Sequence, residues 1–181
     1  MHLSRGIRFI ALLAPLLLAA CAGGEPTVPP GATEGGARPS SVMANTVYLG
    51  LHCGPRDSSP AVSWIGNEDD YTALHQRLES HAMEQVGDFP EMDFDHRGVV
   101  MVELGRRPTT GYSLSLKTTQ VAIDAEGTAT LEVEIREPAA DRVTAPMLTH
   151  PCLVASLPRR ALDGIEVIDD EGDHLGRVLL P

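Results

Sequence analysis

Apolar and polar residues alternate through most of the second half of this chain, and in one stretch the apolar positions recur at helical spacing instead. Over residues 46–52, Val47, Leu49 and Leu51 alternate with Tyr48 and Gly50, the period of a strand with one covered face. Residues 61–65 form a short apolar run that reads as a second strand. Tyr71, Leu74, Leu78, Ala82 and Val86 then recur every three to four residues, which predicts a helix with one apolar stripe. Asn67 is placed to cap it, with Asp70 three residues on, and Glu68, Asp69 and Asp70 put negative charge in the first turn, where the helix dipole favours it. Gly87 is the expected stop.

Beyond Arg97 the pattern is strands. Residues 98–105 are almost continuously apolar and read as a central strand. Over 112–117, Tyr112, Leu114 and Leu116 share one face. Residues 119–123 and 128–136 flank Asp124-Ala125-Glu126-Gly127, a hairpin signal. Residues 151–157 form a further strand, stopped by Pro158. Residues 165–168 and 175–180 flank the acidic turn 169–173 as a terminal hairpin. This order predicts an α+β fold over residues 45–181: one N-terminal helix packed on a mainly antiparallel sheet of six to seven strands.

The start of the chain carries a different message. Arg5 and Arg8 precede an apolar run over residues 9–20, too short to cross a bilayer, and Leu18-Ala19-Ala20-Cys21 closes it. These four residues resemble the lipobox of bacterial lipoproteins. The resemblance implies that residues 1–20 are a leader and that Cys21 is the first mature residue and carries lipid. Residues 22–41 follow, with nine Gly or Pro among twenty positions, too few apolar groups to offset the entropy of ordering them. Residues 21–44 are therefore expected to be a lipidated cysteine and linker. Inner-membrane lipoproteins often carry Asp after the cysteine, where this chain has Ala22. By that resemblance the protein is placed in the cell envelope, lipid-anchored at the outer membrane and facing the periplasm.

Charge narrows the partners. The formal net charge is −11, and −13 once the two leader arginines are removed. So acidic a chain argues against nucleic acid and against electrostatic docking on anionic lipid. With Cys21 acylated, Cys53 and Cys152 remain. In an oxidising compartment they are either a disulfide or two separate buried thiols.

The segment that stands out is Gly105-Arg106-Arg107-Pro108-Thr109-Thr110-Gly111-Tyr112. It joins two strong strands yet holds two arginines, a proline and two hydroxyls. Pro108 fixes one backbone angle and Gly111 permits a positive φ, so the loop is ordered in advance, which lowers the cost of binding a partner. Arg106, Arg107, Pro108, Thr109, Thr110, Gly111 and Tyr112 are the candidate protein-binding loop; the plainer reading is a tight connection with solvated arginines.

Residues 105–113 and Val143-Thr144-Ala145-Pro146-Met147-Leu148-Thr149-His150-Pro151, with Leu157-Pro158-Arg159 after them, resemble two blocks of the C-terminal domain of the PrcB family, lipoproteins first recognised in a protease complex. The resemblance covers residues 100–159. Thr110 departs from the family's glycine, and Ala145-Pro146 from its usual Gln-Ala. The family implies a lipid-anchored accessory protein beside a surface protease, with an envelope protein as partner and no catalytic machinery.

Pro108-Thr109-Thr110-Gly111-Tyr112 also resembles a loop of chagasin-like inhibitors of cysteine proteases, with Arg107 in place of Asn. The other two loops of that family have no counterpart after Tyr112, where no aromatic residue occurs.

Chemistry finds little support. Ser113 lacks the Gly-x-Ser-x-Gly frame of a nucleophile elbow that would pair it with His150. His75 and Glu79 share a helix face but make only two metal ligands. Asp93, Asp95 and His96 cluster without a metal-site spacing, and the acidic turn 169–173 lacks the spacing of a calcium loop. Neither a catalytic residue, nor a metal site, nor a cofactor is expected.

Overall fold

The computed structural model describes residues 40–54, 59–83, 85–160 and 162–181. The expected leader, Cys21 and the linker up to residue 39 lie outside the described residues.

Ten strands and one helix follow in chain order among these residues: β1 (Ser41–Met43), β2 (Asn45–Gly50), β3 (Ala61–Ile65), α1 (Glu68–His81), β4 (Arg97–Glu103), β5 (Ser113–Leu116), β6 (Gln120–Ile123), β7 (Thr128–Arg136), β8 (Cys152–Pro158), β9 (Gly164–Ile168) and β10 (His174–Leu179). They form two sheets. One runs β1-β6-β7-β9-β10, with β5 also on β7; the other runs β2-β8-β4-β3. All strand pairs are antiparallel except β7–β9.

The α+β expectation of one helix on one sheet is therefore corrected. The fold is mainly β with two sheets, and the helix is not N-terminal but follows three strands. The reason lies in β4 and β8, which are apolar on both faces and so need two covers. Val100, Val102, Leu153, Ala155 and Leu157 pack against Leu131, Val133, Ile165 and Val167 of the other sheet. Val99, Met101 and Val154 pack on the opposite face against Tyr71, Leu74 and Leu78 of α1. The described residues thus form three layers, helix on sheet on sheet.

The cap of α1 forms as its sequence predicts. The Asn67 side chain accepts from the Asp70 amide at 2.9 Å and donates to the Asp70 carboxylate at 2.7 Å. The helix stops at His81, short of Gly87. There Ser80 Oγ donates to the Arg77 carbonyl at 2.7 Å, His81 Nδ1 lies 2.9 Å from the same oxygen, and Ala82 turns extended. Val86 is still buried, carried under the helix by the following loop rather than by another turn. That loop brings Phe89 and Phe94 to 5.1 and 5.4 Å from the Tyr71 ring, and the Tyr71 hydroxyl donates to the Pro90 carbonyl at 3.2 Å. Burial, with Glu68 beside it, pushes the Tyr71 phenol up to about 12.

The fold also begins earlier than Asn45. β1 pairs with β6, and Ala44 is fully buried with its amide bonded to the Thr119 carbonyl at 2.8 Å. The hairpin at Asp124–Gly127 forms, with Gly127 at φ +84° and the Asp124 carboxylate accepting from the Thr128 amide at 2.7 Å. In the acidic turn the Asp169 carboxylate accepts from the amides of Glu171 and Asp173. Its acidity is thus used to hold the turn of the β9–β10 hairpin.

Candidate functional site

The loop 105–112 does not stand alone. It is tied along its length to the loop that follows β7. Arg107 and Thr149 exchange both backbone hydrogen bonds, at 2.8 and 2.9 Å. The Thr110 amide donates to the Ala145 carbonyl at 3.1 Å, and the Ala145 amide to Thr110 Oγ1 at 3.1 Å. Thr149, fully buried, donates its hydroxyl to the Thr109 carbonyl at 3.1 Å.

Gly111 sits at φ +102°, and a Cβ there would lie 2.9 Å from Pro138 Cβ and 3.2 Å from Thr144 Cγ2. Only glycine combines that angle with that clearance. Arg107 lies over the Tyr112 ring at 5.8 Å, within cation–π range. Arg106 and Pro108 are exposed, while Arg107, Thr109, Thr110 and Tyr112 are half-buried.

The partner loop turns apolar side chains outward. Val143 is 99% exposed, and Met147 and Leu148 are well exposed too. These side chains stand in solvent on a loop whose backbone is held by the pairing with loop 105–112.

The ends of β2 and β8 meet at the same place. Cys53 and Cys152 are bonded, with their Cα atoms 6.0 Å apart, so the cysteines form the disulfide rather than two thiols. His150 fixes the chain beyond β2, its amide donating to the Leu51 carbonyl at 2.7 Å and its carbonyl accepting from the Cys53 amide at 3.2 Å. Burial, then the nearby positive charge of His52 and Arg106, holds the His150 imidazole below its ordinary range, with Glu103 opposing. Glu103 is itself buried, 3.7 Å from the Arg77 guanidinium.

Beside this lies a feature that the sequence pattern hides. A groove of about 760 Å³ opens between β2 and β5, lined by Leu49, Leu51, Met83, Leu114, Met147 and Arg136 among others. The alternation over 46–52 put Leu49 and Leu51 on a covered face, yet they are 50% and 40% exposed. A bulge at Val47 changes the phase of β2, so Val47 and Tyr48 both pack toward the helix layer. The period of two could not reveal a bulge. The outward-facing Met83 and Met147, both off regular structure, were the only local hint.

The other sequence candidates are separate from this pole or from one another. His75 Nδ1 and Glu79 stand 3.8 Å apart on an exposed face of α1. Asp93 and His96 form an exposed pair at 2.6 Å, and the hydrogen bond from His96 holds the Asp93 carboxyl below its usual range. Among the described residues, no three His, Cys, Asp or Glu side chains come together as a metal site. Ser113 lies in β5, opposite Arg136 of β7.

No curated protein and no solved structure matches this chain. Residues 99–158, the stretch from β4 to β8 that contains both tied loops, about a third of the chain, match the family model described as PrcB C-terminal.

Proposed function

We propose that the protein is an exported, lipid-anchored accessory subunit. It performs no chemistry and holds a protein partner of the cell envelope, in the manner of a PrcB-family member serving a surface protease. Cys21 is the anchor, and the outer membrane its site. The observation that carries the reading is the tying of loop 105–112 to loop 143–151. Inside the family-matched segment, paired backbone and a buried threonine fix two loops whose apolar and cationic side chains then point to solvent. Order without burial suits a binding surface, because the partner need not supply the ordering entropy.

Capture from envelope extract by the full chain, against the Arg106→Ala/Arg107→Ala variant, tests the partner role. A protease retained by the parent chain and lost by the variant supports it; identical captured sets from both remove the loop from the reading. Palmitate labelling that disappears in Cys21→Ser supports the anchor, and an unlabelled, cytoplasmic product overturns it. Inhibition of papain-like enzymes by the purified chain would replace the accessory role with direct inhibition.

A further inference from the structure

The groove between β2 and β5 draws its apolar walls from separate parts of the chain. β2 and the residue after it supply Leu49 and Leu51, the segment beyond α1 supplies Met83, and loop 143–151 supplies Met147. Leu114 of β5 is buried and forms the floor, while those four side chains stand around it exposed. β2 and β5 approach within 8 Å of each other, Cα to Cα. A strand laid between them would need about 10 Å, twice the ordinary spacing. The groove therefore suits a side chain entering from solvent and not a further strand.

The lining favours one kind of side chain. Two of the four exposed walls are methionines, whose thioethers pack well against aromatic rings and whose three rotatable bonds let them fit around one. An aromatic ring also buries the most apolar area for the fewest rotamers lost, which is why such rings anchor interfaces in pockets. Charge adds a second feature. Among the described lining residues there is no carboxylate, in a chain with 25 of them, and Arg136 and His52 are the basic groups present. Arg136 is paired with Glu134 at 3.2 Å through one nitrogen and is exposed, leaving donors for a second carboxylate.

From these observations we infer that the groove takes an aromatic side chain of the partner protein, with an acidic residue beside it in that partner. This deepens the accessory-subunit reading and rests on it. The groove adjoins the loops of that reading, since Met147 belongs to loop 143–151 and β5 begins directly after loop 105–112. The disulfide and the His150 bonds hold the end of β2, so this wall is set before the guest arrives. A second copy of this chain is a poorer occupant. Two copies at a net charge of −11 repel, and among the described residues every aromatic side chain is buried or half-buried, so a copy offers no ring to insert.

The test uses the purified, oxidised chain with isotope-labelled methionine methyl groups and a capped five-residue peptide carrying a central tryptophan between two glutamates. One control replaces the tryptophan by leucine, the other the glutamates by lysines. Methyl resonances are followed by NMR through a titration. The expected result is a saturable ring-current shift at Met83 and Met147, with none at Met43, which is equally open to solvent but lies in the other sheet. The leucine peptide should produce no such shift. The lysine peptide should bind several-fold more weakly, as loss of an exposed ion pair predicts, and Arg136→Ala should remove that preference. Leu49→Asp, its fold verified by circular dichroism, should abolish the shift. Equal shifts at Met43 would reduce the effect to unspecific adhesion and overturn the inference, as would equal binding of the glutamate and lysine peptides. Shifts that grow with protein concentration in the absence of peptide would assign the groove to a second copy. No shift with any peptide would sink the inference while leaving the Arg106/Arg107 capture experiment untouched. A failed capture beside intact methyl shifts would sink the accessory-subunit reading instead.

Discussion

Opening the bond between Cys53 and Cys152 is expected to remove a large share of the stability of this fold. The two residues are 99 apart in sequence, so the bond closes about a hundred-residue loop that holds β3 to β7 and the helix and leaves β1, β2, β9 and β10 outside. In the chain-entropy model that loop costs the unfolded state about 16 cal/mol/K, or about 4.7 kcal/mol at 25 °C. The native side changes little on reduction. Both cysteines are 1% exposed, Gly50 and Cys152 remain paired across β2 and β8, and the Cys53 amide keeps its bond to His150. Domains of this size are stable by about 5–15 kcal/mol, so reduction should remove from about a third to nearly all of that stability.

The assay is urea unfolding of the same purified chain with and without a phosphine reductant, which leaves every side-chain volume in place. With a slope of about 2 kcal/mol/M, the midpoint should fall by about 2 M. The Cys53→Ala/Cys152→Ala variant should follow the reduced protein. A loss under about 1 kcal/mol in a two-state transition would refute the loop-closure argument and mean that the reduced unfolded chain is already compact.

Other expectations separate the forces that hold the loops. Gly172→Ala, at φ +91° with nothing within 4 Å, should cost about 1–2 kcal/mol of backbone strain; Gly111→Ala meets Pro138 as well and should cost at least about 1 kcal/mol more, both read from urea midpoints. Thr149→Val keeps the shape but leaves the Thr109 carbonyl without its 3.1 Å donor, for a loss of about 1–3 kcal/mol that Thr149→Ser should largely restore. The folded His150 binds its proton less readily than the unfolded one, so stability should be full above the unfolded value and fall as pH drops below about 6.5 toward the lower folded value. His150→Gln should flatten that part of the stability–pH curve, and an unchanged slope would remove His150 as its source.

Much of the fold was legible in the sequence because it is local. The hairpin at Asp124–Gly127, the alternation over 112–117 and the Asn67 cap each depend on neighbours a few residues away. The disulfide was legible as one of two outcomes, from compartment and cysteine number, and the structure selects the bond. Sheet membership was not legible, since nothing in the run of β7 or β9 says that they pair in parallel with β8 lying in the other sheet. One clue was there to follow further. An almost unbroken apolar run such as Val99–Val102 requires cover on both faces, and one helix cannot provide both. β1 was hidden because Ser41–Met43 is short, follows a Gly/Pro-rich stretch and acquires its strand character from β6, some eighty residues away.

The candidate site divides along the same line. Loop 105–112 announced itself through Pro108, Gly111 and the adjacent arginines, which act on their own backbone. Its counterpart over 143–151 resembles the second family block, yet nothing local says that the two are tied residue to residue. The groove left no periodic trace at all. Leu49 and Leu51 look in sequence like residues awaiting a core, and they are exposed because no element arrives to cover them. That contrast bears on function. Thr149 and the Arg107–Thr149 backbone pair satisfy the folded chain itself, whereas Val143, Met147, Leu148, Leu49 and Leu51 leave 37–99% of their surface in solvent. A fold that buries Leu78, Leu104 and Leu153 completely has no shortage of means to cover apolar groups. Leu49, Leu51, Met83 and Met147 line one groove whose described lining lacks acidic groups, and under the proposed accessory role that groove is where a second chain would add the missing cover.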